Sequence, residues 1–246
     1  MHATTYPPLD VLKPLAPDLW IVDSGPLPVY GLPLPVRMTV LRLRDGSILL
    51  HSPTRHTPDL HRAVAALGPI RHLAAPNIAH WRYLQDWQRA CPEALTWGAP
   101  NLRHRRPVRR AALRIDRDLP GTAPPDWAAD LELVTVPGGL GFREVAFFHK
   151  PSRSLVLTDL VVNLEPGKLP WPMRLPARLA GMTAPDGRAP LYLRAVVRMR
   201  RAEAARAAST LLALAPERVL FAHGAWFARD AGAALRRSLR WLVPLP

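Results

Sequence analysis

The sequence has little cysteine and no long apolar run. Cys91 is the single cysteine among 246 residues, so the chain contains no internal disulfide bond. The absence of an apolar run of about 18 residues argues against a transmembrane helix. Residues 1–8 lack the basic start and the apolar stretch of a secretory signal. Together these absences predict a soluble protein with a cytoplasmic location.

Lysine is also scarce, although the chain is strongly basic. Only three of the 33 basic residues are lysines, and the formal net charge is +14. A surface of that sign can bind nucleic acid or an anionic membrane. Heavy use of Arg, Ala and Pro together also indicates coding bias in a GC-rich genome. The basic run 103–110 has no interleaved aromatic residue, so a nucleic-acid-binding function depends on charge alone.

The apolar residues predict one large α/β domain over residues 1–246, because 48% hydrophobic residues are enough for a sizeable core. Two strand-like runs joined by Asp45-Gly46 predict a hairpin. Strands are predicted at 19–23 (at a sheet edge), 38–43, 47–51, 70–75, 131–136, 144–149, 154–158 and 218–222, and helices at 58–67, 80–90, 200–215 and 230–242. Thr57 is the predicted N-cap of the first helix. Two β-rich halves that each end in helices predict stacked sheets with helices outside.

Two segments do not fit this alternation of strands and helices. Residues 101–125 are basic and bounded by prolines, which predicts an excursion over the surface. Residues 164–190 are rich in proline and glycine and predict a long, lid-like loop that contains Trp171. Such a loop can close over a pocket, or it can dock on a partner or a membrane surface.

Polar motifs follow the predicted strands. They are Ser52-Pro53, Pro76-Asn77 with His80, Phe147-Phe148-His149, Thr158-Asp159 and Ala222-His223-Gly224. On these motifs the chain resembles the metallo-β-lactamase superfamily over roughly residues 19–242, and in particular an uncharacterised branch described only as a domain of unknown function. The resemblance implies an α/β fold, the αββα four-layer sandwich of metallo-β-lactamases and glyoxalase II hydrolases.

The superfamily's metal motif is incomplete in this chain. Its strand ends carry an H-x-H-x-D-H run, a later P-G-H-type turn, an Asp after an apolar strand and a final His before Gly. The resemblance places His80 as the remaining ligand of the first run and Glu144 on a vacated His of the turn. Asp159 matches the Asp that commonly bridges two metals, and His223 matches the last His. A dinuclear zinc site is therefore predicted to be lost.

Four candidate ligands can hold one divalent ion at most, whether zinc, manganese or iron, or none. Each candidate also has a structural explanation: Asp159 as a loop cap, for example, or Glu144 as the partner of a nearby arginine. Residues predicted to line the pocket are His51, Ser52, Asn77, Trp81 and Asn163. The first functional hypothesis is a degenerate protein, a pseudoenzyme that binds a small molecule or a partner in the old cleft. The alternative is a metal-dependent hydrolase or oxidoreductase with a remodelled mononuclear site.

Overall fold

The computed structural model describes residues 4–29 and 31–243, and a seven-stranded sheet forms its first half. Its strands are β1 (Lys13–Ala16), β2 (Leu19–Val29), β3 (Leu32–Arg42), β4 (Ile48–His51), β5 (Ile70–Ala75), β6 (Leu95–Gly98) and β7 (Arg117–Asp118). They lie side by side in chain order, antiparallel from β1 to β4 and parallel from β4 to β7.

A second sheet of four strands and a short strand pair form the other half. The strands are β8 (Leu131–Pro137), β9 (Arg143–His149), β10 (Ser154–Val156), β11 (Val162–Asn163), β12 (Arg218–Leu220) and β13 (His223–Gly224). The order in the second sheet is β12-β10-β9-β8, and β11 pairs with β13. Because β10 and β12 are parallel, their carboxyl ends meet at one edge of this sheet.

The helices pack outside the two sheets. They are α1 (Pro58–Ala65), α2 (Leu84–Ala90), α3 (Arg106–Arg110), α4 (Trp171–Leu179), α5 (Leu191–Arg198), α6 (Arg201–Ala213) and α7 (Ala231–Leu239), with 3-10 turns at Leu102–His104 and Pro166–Lys168. Among the described residues, no helix combines the length and the apolar character needed to cross a bilayer.

Three apolar cores separate four layers. The central core joins the two sheets, since Leu41 of β3 lies in one cluster with Leu133 and Phe147 of the second sheet. A second core packs α1 and α2 on the first sheet, and a third packs α5, α6 and α7 on the second sheet. Each fully buried large apolar side chain contributes about 2 kcal/mol to stability. This arrangement confirms the predicted αββα sandwich.

Most predicted elements of the first half are present. Strands β3 and β4 form the hairpin around Asp45-Gly46. The Thr57 hydroxyl accepts a hydrogen bond from the Leu60 amide, as an N-cap should. The strand at residue 19 is longer than predicted and is not at the edge, because β1 pairs outside it. The helix predicted from residue 80 begins at Leu84, which leaves His80 in a turn.

The two irregular segments contain more structure than predicted. The excursion 101–125 includes α3 and the edge strand β7, and it buries Leu102, Val108 and Leu119 in the cores. The predicted loop 164–190 contains α4. Helix α5, directly after it, was not predicted.

Candidate metal site

The candidate site lies where strands of both sheets end. Ser52 follows β4, and His80 lies in the turn after β5, whose parallel pairing with β4 brings these ends together. Asp159 follows β10 of the second sheet, and His223 begins the short strand β13 soon after β12 ends. Side chains at the carboxyl ends of parallel strands share one edge, so the two sheets deliver their polar residues to one place.

Three side chains converge there. The Nε2 atom of His80 lies 3.2 Å from Asp159 Oδ1, and the Nε2 atom of His223 lies 3.3 Å from the same oxygen. One ligand atom from each residue lies within 4.8 Å of the others, as an ion-binding group requires. The sequence-predicted ligands His80, Asp159 and His223 are thus brought together.

The outer nitrogen of each imidazole already has a partner. His80 Nδ1 lies 2.6 Å from the Ser52 hydroxyl, and His223 Nδ1 lies 2.8 Å from the Pro35 carbonyl oxygen. A carbonyl only accepts, so His223 Nδ1 carries a proton. Such outer partners are typical of metal-binding histidines.

Asn77 fixes the second oxygen of Asp159. Its Nδ2 group lies 2.8 Å from Asp159 Oδ2 and 3.3 Å from Glu144 Oε2, within donating distance of both. Its own Oδ1 accepts from the backbone N–H groups of Ala79 and His80. Asn77 is fully buried, so it acts as a scaffold beneath the site and leaves Asp159 Oδ1 to the two imidazoles.

Glu144 is also fully buried, but its carboxylate faces the backbone. It accepts hydrogen bonds from the amides of Thr158, Asp159 and Leu160 at 2.8, 3.0 and 3.3 Å. The three-residue ligand group does not include it. These contacts favour a role in positioning the Asp159 loop, and ligation by Glu144 stays a prediction that they disfavour.

The charges of the cluster reinforce one another. Burial alone would raise the pKa of Asp159, but attraction from His80 and hydrogen bonds from His223 and His80 hold it well below the usual value. Burial would lower the pKa of His80, yet Asp159 raises it above 6.5. Burial and the nearby Asp159 raise the pKa of Glu144. Asp159 is therefore the anionic centre, and it attracts positive charge.

Family and fold comparisons agree with this architecture. Residues 18–175, more than half of the chain, match the family described as Domain of unknown function (DUF4336). The chain belongs to this family. The match includes His80 and Asp159 and ends before His223. No curated protein matches significantly.

Solved structures show that this DUF4336 protein has the metallo-β-lactamase fold. A metallo-β-lactamase from Pontibacter korlensis is 13% identical, with a TM-score of 0.64 over 94% of this chain and 98% of that protein. One from Hirschia baltica is 12% identical, with a TM-score of 0.62 over 96% and 99%. The rubredoxin oxygen:oxidoreductase of Desulfovibrio gigas is 12% identical, with a TM-score of 0.65, and this chain covers only 61% of it.

Of the residues predicted to line a pocket, Ser52 lines the cavity, whereas His51, Trp81 and Asn163 pack or bond elsewhere. Ser52 lines the cavity beside His80. His51 is buried against Phe147, and burial together with repulsion from His80 lowers its pKa to about 3. Trp81 packs on the core around α1 and α2. Asn163 bonds the backbone of Ala225 and Gly187, so it is a structural link between β11 and its surroundings.

The cleft above the ligand group has two parts. A cavity of about 140 Å³ is lined by Leu27, Val29, Leu34, Val36, Arg37, Ser52, Pro53, Thr54, Ala79, His80, Arg82, Tyr83, Asp159, Tyr192, Ala222 and His223. A second cavity of about 310 Å³ shares Ala79, Asp159 and Tyr192 with it. Both cavities therefore open onto Asp159, and their walls are largely apolar.

Sequence reasoning missed Arg37 and the Pro35 carbonyl. The Arg37 guanidinium donates to the carbonyls of Phe221 and Gly224 and pairs with Asp23 at 2.7 Å. It therefore clamps the turn that carries His223. A buried charge inside the apolar strand β3 was the available signal for Arg37, whereas a backbone carbonyl leaves no trace in the sequence.

Proposed function

We propose that this protein is a metal-dependent hydrolase with a single divalent ion held by His80, Asp159 and His223. The observation that carries the proposal is the convergence of two imidazole Nε2 atoms on one carboxylate oxygen, at 3.2 and 3.3 Å. Since the outer nitrogens are already oriented by Ser52 and Pro35, both inner nitrogens point to one centre. This supports the mononuclear alternative over a degenerate binding protein.

The donor set suits one ion and does not suit two. Two imidazoles and one carboxylate are the three protein ligands of a mononuclear catalytic site, which keeps an open position. A second ion would need about as many donors again. In the described part of the chain, the ligand group contains three residues. Asn77 and Ala79, in the turn where the superfamily carries further ligands, offer an amide occupied by hydrogen bonds and a methyl group.

The protein's own groups would orient the reaction. A divalent ion, when bound, supplies Lewis-acid chemistry that polarises a carbonyl or phosphoryl oxygen. Ser52 and the Pro35 carbonyl hold the two imidazoles, and Asn77 holds Asp159 through its other oxygen. The apolar walls limit bulk water around these groups and strengthen their electrostatic interactions.

The cleft supports a small substrate with an apolar body. The cavity nearest the ligand group is below the usual range of about 300–1,000 Å³ for ligand pockets. Its apolar wall includes Leu34 and Val36. Arg82 lies exposed in the lining and has no acidic partner among the described residues, so an anionic group on the substrate is the matching chemistry.

Metal content after purification without chelator tests the proposal. We expect about one zinc, manganese or iron per chain in the wild type, and loss of at least 100-fold in affinity in Asp159→Ala and His223→Ala. His104→Ala, an exposed histidine outside the site, is the matched control and should keep the ion. Failure of the wild type to bind any of these metals would contradict the proposal.

Two further measurements separate ligation from catalysis. Glu144→Gln should retain the ion if Glu144 positions the loop, and should lose it if Glu144 is a ligand. The loaded enzyme should hydrolyse at least one member of a panel of chromogenic esters, amides and phosphoesters, and Asp159→Ala should be inactive. A stoichiometric ion without hydrolysis of any panel member would favour the binding protein of the first hypothesis.

A further inference from the structure

Helix α4 presents a row of large apolar side chains to solvent. Trp171, Leu175 and Leu179 are 80%, 63% and 76% exposed. Their spacing of four residues places them on one face of the helix. Single exposed apolar residues are common on proteins, whereas a contiguous row marks a surface that binds something.

The opposite side of α4 is already packed. Ala177 is buried in a small core with Leu34, Val162, Leu164 and Leu169. The apolar row is therefore an additional face, and in residues 4–29 and 31–243 no segment covers it. A helix of nine residues is much too short to span a bilayer. Whatever binds the apolar row therefore contacts the side of the helix.

The surroundings of α4 are basic. The helix contains Arg174 and Arg178 and no acidic residue. At its carboxyl end the Arg194 guanidinium donates to the Ala180 carbonyl at 2.8 Å, and the Arg188 side chain lies against Gly181. Two arginines thus lie on α4 and two more lie at its carboxyl end.

Among the described residues, none of these four arginines forms an ion pair with a carboxylate, although Asp186 attracts Arg188. Burial and the neighbouring Arg240 lower the pKa of Arg188, and burial, Arg188 and Arg198 lower the pKa of Arg194. The nearby acidic residue Asp186 is paired with Arg237 at 2.7 Å. Mutual repulsion among the guanidinium groups means that an anionic partner would relieve the excess charge.

We propose that α4 is an interfacial helix that inserts Trp171, Leu175 and Leu179 into the surface of an anionic lipid bilayer. The arginines at its border would contact lipid phosphates. An apolar face with a tryptophan, flanked by arginines, is the pattern of helices that lie in the membrane interface. A second copy of the chain is a poorer occupant, because two copies would bring their arginine clusters toward each other.

Vesicle sedimentation with the full chain tests this inference. We expect binding to vesicles of phosphatidylcholine with about 30% phosphatidylglycerol, little binding to phosphatidylcholine alone, and weaker binding as salt rises. Leu175→Glu should bind at least about tenfold more weakly. The control Val11→Glu places the same charge on an apolar residue that is 47% exposed outside α4, and it should bind like the wild type.

A second readout locates the inserted side chain. Brominated lipids should quench the fluorescence of the wild type more than that of Trp171→Phe, because Trp171 would lie within the acyl region. Absence of vesicle binding, or equal binding by Leu175→Glu, overturns the inference. If the wild type forms oligomers that Leu175→Glu disrupts, and does not bind vesicles, the inference is overturned and the apolar row is an interface with a second copy of the chain. The test does not depend on the metal site.

Discussion

The two sheets contribute unequally to the candidate site. The first sheet supplies one potential ligand, His80, while Ser52 and Asn77 beside it serve as hydrogen-bonding supports. The other half of the fold supplies Asp159, after β10, and His223, in β13, and the two side chains face each other at 3.3 Å. The first sheet therefore supplies one candidate donor and two supporting side chains, whereas the other half of the chain supplies two candidate donors.

The difference shows how a buried amide side chain can support the candidate ligand group. Asn77 crosses from the first half to the second and contacts both Asp159 and Glu144. The backbone strengthens the same link, since Val145 N–H donates to the Pro76 carbonyl at 2.8 Å. The three-residue group is thus held in place by hydrogen bonds that join the two halves of the fold.

Removing the hydrogen bonds that Asn77 makes between the two halves should have the largest effect on stability. In Asn77→Ala the buried carboxylates lose a donor and two backbone amides lose an acceptor. We expect the free energy of unfolding, measured with urea, to fall by about 3 kcal/mol. Gln85→Ala is the matched control, because that partly buried amide makes one bond of 3.1 Å to the Ala111 carbonyl. It should cost about 1 kcal/mol, and equal losses in both variants would contradict the link between the halves.

A buried histidine of the first half should produce a smaller effect that depends on pH. His51 has a pKa of about 3 in the folded protein and near 6.5 when unfolded. Between these values the unfolded chain binds a proton that the folded chain does not, so stability falls as pH decreases below about 6.5. The expected loss at pH 5 is about 2 kcal/mol.

Urea unfolding at pH 7.5 and pH 5 measures this pH-dependent contribution of His51 to the free energy of unfolding. His51→Leu should lose about 2 kcal/mol less between the two pH values than the wild type. His104→Leu changes an exposed histidine, and it should behave like the wild type. Parallel profiles for His51→Leu and the wild type would show that His51 does not titrate in this way.

The sequence pattern predicted which polar residues lie at the strand ends, but it did not predict which groups these residues contact in the folded protein. Asp159 and His223 were predicted because each follows an apolar strand and matches a position of the superfamily's metal motif. The role of Glu144 was not found, because its partners are backbone amides of residues 158–160, which have no side-chain signature. Helix α4 was predicted as a loop because prolines are common there. However, Pro170 precedes the helix and Pro172 lies in its first turn, where an amide has no helical partner to lose, so only Pro176, inside the helix, removes a helical hydrogen bond.

The two ligand histidines are oriented by different means, which gives the smallest and sharpest prediction. Ser52→Ala removes the hydroxyl at 2.6 Å from His80 Nδ1, whereas a side-chain substitution leaves the carbonyl partner of His223 in place. On the proposed function, metal affinity measured by chelator competition should fall about tenfold, or about 1.4 kcal/mol. Ser52 has a positive φ of 54°, so Ser52→Gly, which relieves backbone strain, separates this strain from loss of the hydroxyl. Affinity reduced in both variants supports orientation of His80 by Ser52. If only Ser52→Ala weakens metal binding, the effect comes from strain in the backbone at residue 52. In that case His80 is held without help from the Ser52 hydroxyl.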